Sequence, residues 1–267
     1  MGRLHKKFLA VYKAWWQEEL EYRVASFTWI INGLIGTLFI MVLWLATAKS
    51  SQGFPMNVPQ IVTYFLLSVP VSRLTQVWSW NNMEEKVRSG EFTNFLLKPF
   101  SYLTFDLAEN FARQSMRLLT LVPIIPVVYL FFRNDVQLTG SFQVWFLFIL
   151  SIVLGLMVRF WYENVLGITT FWLIDVYGVS GIFGTLSGIF SGSAIPLAVM
   201  PPVLLSIAKL LPFRFFTSFP LEVVLGQVRG WDVFYGFLTG ILWALVFGLI
   251  FKPLFGLGIK KYEAVGT

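Results

Sequence analysis

The chain has 267 residues, of which 57% are hydrophobic and only 13% charged, with a formal net charge of +6. A soluble domain carries about 25% charged residues, so a fold of this composition cannot cover itself with polar groups, and most of its surface must face lipid. There is no cysteine and one histidine, His5, which excludes disulfides, iron–sulfur clusters, thiolate zinc sites, intramembrane histidine sites and any Ser/His/Asp triad beyond the N-terminal stretch. The positive charge does not point to nucleic acid, because basic residues flanking apolar spans are what the cytoplasmic face of a membrane protein carries.

In chain order, residues 1–23 come first. Leu4, Phe8, Val11, Trp15 and, less tidily, Tyr22 share one helical face, while Lys6, Lys7, Lys13 and Glu18 fall elsewhere. That pattern predicts an amphipathic helix lying in the inner membrane interface. The apolar run Phe8–Tyr12 is too short for a signal peptide, and Lys6 stands where a myristoylation site wants Ser or Thr. A span needs about 20 mainly apolar residues, and six candidates follow. They are Phe27–Ala48, Val58–Trp80 with Arg73, Leu107–Phe132 with Arg113 and Arg117 near one end, Phe142–Val158 closed by Arg159, Asn164–Phe190 with Asp175, and Val233–Phe255 closed by Lys260 and Lys261. Pro123 and Pro126 should kink the third.

Lysine and arginine set the orientation. With the N-terminus in the cytoplasm, the inner side collects Arg3, Lys6, Lys7, Lys13, Arg23, Lys86, Arg88, Lys98, Arg113, Arg117, Arg159, Lys252, Lys260 and Lys261. The outer side keeps Lys49, Arg133, Lys209, Arg214 and Arg229. Six spans then place both termini in the cytoplasm. The expectation is an all-α integral membrane protein, one membrane domain over residues 1–267.

Residues 191–230 are apolar but interrupted by Pro196, Pro201, Pro202 and Pro212. Proline breaks the helical ladder, and broken backbone survives at membrane depth only when buried in protein or lining a cavity. The reading is a re-entrant extracellular segment of short helices before the last span. A seventh span here would put Lys260 and Lys261 outside, against the charge rule.

Small residues recur every fourth position at Gly236, Gly240, Ala244 and Gly248, and at Ser180, Gly184 and Gly188 with Gly178 and Gly181 beside them. Such stripes let helices approach closely, within the chain or between chains. Asp175 is the clearest intramembrane charge and Arg73 the second; each needs a partner or a path to justify its cost. Enzyme signatures are absent. There is no GxxxxGK[ST] phosphate loop, no HExxH and no cluster of paired aspartates.

Between the second and third spans, residues 84–100 read EEKVRSGEFTNFLLKPF. Glu84 and Arg88 stand one turn apart, Gly90 can end the helix, and Pro99 redirects the chain. A short charged helix is thus followed by an apolar elbow with Phe92, Phe95, Leu96 and Leu97. We read the loop at 81–106 as a cytoplasmic handle for another protein.

This stretch resembles the region after the second span in ABC-2-type transporter permeases, the match being carried by Glu85, Arg88, Gly90, Glu91, Leu96, Leu97, Lys98 and Pro99. A second likeness lies in residues 191–226, through Ser191, Gly192, Pro196, Leu197, Pro201, Leu211, Pro212, Phe213, Pro220 and Gly226. The resemblance implies a permease subunit of an ATP-driven exporter in the inner (plasma) membrane of a bacterium, paired with an identical or homologous permease. ATP and Mg would be bound by separate ATPase subunits, and this chain would hold no cofactor or metal. It implies ATPase coupling through Glu84, Glu85, Arg88, Gly90, Glu91, Phe92, Leu97 and Pro99. The translocation path or gate would involve Asp175, Gly178, Gly181, Pro196 and Pro201, and helix packing Gly236, Gly240 and Gly248. The cargo would be an amphipathic molecule. The alternative is an ion- or proton-coupled secondary carrier, which would want several buried acidic groups where only Asp175 offers itself.

Overall fold

The computed structural model describes residues 2–97, 101–138, 140–173 and 177–262. Among these the chain is all helical, without strands. Helix α1 (Gly2–Glu21) is followed after one residue by α2 (Arg23–Ser50). Helix α3 (Val58–Thr75) begins with a capping box: the Asn57 side chain accepts from the Gln60 amide at 2.9 Å, and the Gln60 side chain accepts from the Asn57 amide at 3.0 Å. Two short helices, α4 (Ser79–Arg88) and α5 (Thr93–Leu97), lead to α6 (Tyr102–Phe132) and α7 (Phe142–Ile168). Then come α8 (Tyr177–Phe190), α9 (Pro202–Leu210), α10 (Ser218–Val224) and α11 (Trp231–Ile259), with 3-10 turns at Leu197–Val199 and Pro212–Phe216.

Four helical segments among the described residues are long and apolar enough to cross a membrane: Phe27–Ser50, Tyr102–Phe132, Phe142–Phe171 and Trp231–Ile259. Their outward faces are apolar. On α6 alone Leu118, Leu119, Val122, Leu130 and Phe131 are exposed, a patch that water would not tolerate.

Three boundaries differ from the sequence expectation. The second candidate span ends as helix at Thr75, short of Trp80, and the chain turns at Gln76–Trp78 into α4. The fourth does not stop at Arg159, because α7 runs on to Ile168. Glu163, one turn on, accepts from Arg159 at 3.1 Å, and the guanidinium also lies 5.1 Å from the Phe216 ring centroid. A charge so matched does not need to end a helix. Residues 164–168 therefore belong to α7, and among the described residues the next apolar helix is α8 from Tyr177.

Within the segment from Ser191 to Leu225, α9 is largely exposed, whereas residues 212–224 are continuously buried. Every residue of α10 is buried, and Phe213, Phe215, Phe216 and Phe219 form a core with Leu154, Val158 and Tyr162 of α7. Its irregular backbone is satisfied by side chains from three helices. Trp44 of α2 donates to the Ala194 carbonyl (2.9 Å), Tyr64 and Thr75 of α3 to those of Gly192 (2.7 Å) and Phe216 (2.6 Å), and Trp243 of α11 to that of Leu210 (2.8 Å). Buried carbonyls without such donors would be costly. Arg214 and Glu222 form a buried ion pair, and the Ser218 hydroxyl donates to the same carboxylate at 3.0 Å.

Candidate functional site

The elbow between α4 and α6 has an inner and an outer face. Inside, Met83 and Phe92 are fully buried, and the Phe92 ring lies within 5.1–6.1 Å of the rings of Phe95, Tyr102, Phe171, Phe255 and Tyr262. Gly90 takes the left-handed φ of 78° just past α4. Its amide bonds Val87 at 3.3 Å and the Phe92 amide bonds Lys86 at 2.9 Å, so the last-turn carbonyls are covered. The Tyr262 hydroxyl, past the end of α11, donates to the Gly90 carbonyl at 3.1 Å. Buried polar groups lock α4 to α6: the Ser79 hydroxyl and the Asn164 amide both bond Asp106, and Asn82 donates to Glu109 at 2.6 Å. Gly167 of α7 packs closely against Met83, where a methyl group would come within 3.1 Å of its side chain. The elbow is thus fastened to α6, α7 and α11 together.

Outside, Glu85, Arg88, Glu91, Leu96 and Leu97 are exposed, Leu97 at 79%. Glu84 is half-buried and pairs with Arg88 at 3.2 Å. Acidic and basic groups beside two bare leucines make a surface suited to a protein partner.

Two cavities flank α3. One, of about 500 Å³, lies among α2, α3, α7 and α8 and is lined by Ser72, Arg159, Tyr162, Glu163, Gly184 and Gly188. The other, of about 640 Å³, lies among α1, α2, α3 and α6 and is lined by Glu19, Trp29, Arg113, Met116 and Arg117. Gly33, Arg73, Gln76 and Trp78 line both. Arg73 stands between them, donating to the Trp29 carbonyl at 2.7 Å and to the Gln76 side chain at 3.3 Å. Any side chain at Gly33 would strike its guanidinium.

A family model described as ABC-2 family transporter protein matches residues 31–266. The chain belongs to that family. No curated protein matches it.

As an ABC-2 family permease component, the chain has those of its expected coupling residues that the structure describes in one elbow, with distinct placements. Glu85, Arg88, Glu91 and Leu97 face outward, whereas Phe92 lies in the anchor. Lys98, Pro99 and Asp175 lie outside the described residues. Gly178 and Gly181 sit on α8 with open space beside them and line neither cavity; Gly184 and Gly188, further along the same helix, do line one. Pro196 is buried at the start of a 3-10 turn and Pro201 is exposed at the start of α9, both away from the cavities. On α11, Gly236 meets Phe219, Gly240 meets Leu154 and Phe215, and Gly248 meets Trp161, all within the chain. Among the described residues no group of histidine, cysteine, aspartate or glutamate could hold a metal.

Sequence reasoning missed the Asp106–Glu109–Asn110 cluster. Its signal was present: two carboxylates and an amide within one turn, at the start of a helix that becomes apolar. Tyr262 carried no signal, because only tertiary contact gives it a role.

Proposed function

We propose that the chain is the transmembrane subunit of an ATP-driven exporter, working as a dimer with an identical or homologous permease. A separate ATPase subunit, which binds ATP and Mg, seats the outer face of the elbow. In this reading α3 and α8, with the segment that follows α8, complete six crossings. Both termini are cytoplasmic, α1 lies in the interface, and residues 191–230 form the outer gate. The chain sits in a bacterial inner membrane.

The observation that carries the reading is the two-faced elbow. Its outer face offers Glu85, Arg88, Glu91 and Leu97, while its inner face is tied to three long helices. A push on such a handle moves α6, α7 and α11 together rather than bending a loop. ATP binding would draw the elbow with the ATPase and re-tilt those helices, opening a path between the two permeases for an amphipathic cargo.

The test is co-purification from native membranes with the chain as bait, beside a variant carrying Glu84→Ala, Glu85→Ala and Arg88→Ala. A phosphate-loop ATPase should accompany the native chain and be lost or uncoupled in the variant. A native chain that transports with no ATPase bound would overturn the reading and favour an ion-coupled carrier.

A further inference from the structure

The cavity among α1, α2, α3 and α6 holds an imbalance of charge. Arg113 is matched: it bonds Glu109 at 3.0 Å, lies 3.6 Å from Glu19, and stacks on Trp15. Arg73 and Arg117 are not. Among the described residues neither forms an ion pair. Arg117 donates to the Gln76 carbonyl at 2.6 Å, and Arg73 to the Trp29 carbonyl and the Gln76 side chain. A guanidinium has five N–H donors, so both retain donors for another acceptor. The carboxylates in the lining do not supply it: Glu19 is engaged by Arg113, and Glu18 is exposed at the rim.

Two half-buried cations whose hydrogen bonds all go to neutral groups, with only the more distant charge of Glu19 acting on Arg117, are costly next to hydrocarbon and call for an anion. The cavity has the volume of a small-molecule site, about 300–1,000 Å³. Two aromatic side chains of its lining are largely exposed, Trp29 at 65% and Tyr22 at 61%. Aromatic side chains of this kind sit at headgroup level, and basic pockets between membrane helices suit lipid headgroups.

We propose that this cavity binds an anionic phospholipid, with Arg73 and Arg117 holding its phosphate and its chains leaving past Trp29. The proposal needs the membrane placement of the chain but no ATPase, so it can fail or succeed independently of the exporter reading.

The test uses the full-length chain, with whatever subunits it retains, in nanodiscs of equal parts phosphatidylcholine and phosphatidylglycerol, released and analysed by native mass spectrometry. The native chain should retain phosphatidylglycerol over phosphatidylcholine. Arg73→Gln and Arg117→Gln should each lower that retention about tenfold or more, the loss expected for a charge-assisted hydrogen bond. Lys49→Gln, which removes the same charge from the end of α2, should leave it unchanged. Should the arginine variants fail to fold, quenching of the native chain by chain-brominated phosphatidylglycerol replaces them. Quenching should exceed that by brominated phosphatidylcholine and should shrink in Trp29→Phe. Equal retention of the two lipids, or equal quenching by them, overturns the proposal. So does displacement of the lipid by inorganic phosphate at equal concentration, which would make the ligand a free anion.

Discussion

Replacing Phe92 by alanine separates anchoring from contact in the elbow. The ring is fully buried among five other rings. Truncating a buried phenylalanine costs about 3–5 kcal/mol. The long helices have their own contacts, so the loss should fall on the segment from Ser89 to Leu97, whose other ties include the Phe95 ring on Tyr102 and Phe105 and the Tyr262 bonds to Gly90 and Thr93. At about 1.4 kcal/mol per tenfold, local opening should rise by roughly two to three and a half orders of magnitude. Amide hydrogen exchange in nanodiscs reads this directly, because the amides of Phe92, Thr93, Asn94 and Phe95 are all hydrogen-bonded within the elbow. Leu97→Ala, at an exposed position, should leave exchange unchanged and weaken only the association with the ATPase. A rise of less than about tenfold for Phe92→Ala would refute the view that this ring fastens the handle.

Outcomes at four further sites are expected. Gly155→Ala should lower the thermal midpoint although alanine normally improves a helix by about 1 kcal/mol, because the added methyl meets the Phe215 carbonyl, a backbone atom that cannot step aside. Gly178→Ala, with open space around it, should not lower it. Glu222→Gln should destabilise by about 3–5 kcal/mol by leaving Arg214 buried without its partner, and the double variant Arg214→Met with Glu222→Leu should recover most of the loss in thermal unfolding. Asn57→Ala should cost about 1 kcal/mol by removing the cap of α3, visible as faster exchange at the Gln60 amide.

Much of the fold was legible because lipid imposes simple rules. Long apolar runs marked α2, α6, α7 and α11, and the prolines after Ser191 marked broken backbone. Boundaries failed where a charge met a partner that sequence could not show. Arg159 looked like a terminus and is an interior residue matched by Glu163 and Phe216. The elbow was legible as a charged helix with an apolar tail, but not which aromatic faces inward. Phe92 and Leu97 read alike in sequence, and only the rings converging from α6, α7 and α11 distinguish them. The cavities were invisible, since Gly33, Arg73 and Arg117 come from three separate helices and Gln76 from the turn after α3.

The side-chain donors around Ser191–Leu225 have a consequence for biogenesis. The Leu210 carbonyl is held by Trp243, 33 residues further along the chain, and the rings of Phe215 and Phe219 rest on Gly240 and Gly236. At about 5–20 residues per second, translation takes roughly two to seven seconds to make that donor. Until α11 emerges, the segment cannot settle in hydrocarbon without an orphaned carbonyl and bare aromatic rings. The last helix therefore acts as a clasp, and a nascent chain stopped before Trp243 should stay within reach of the insertion machinery or of the proteases that clear it.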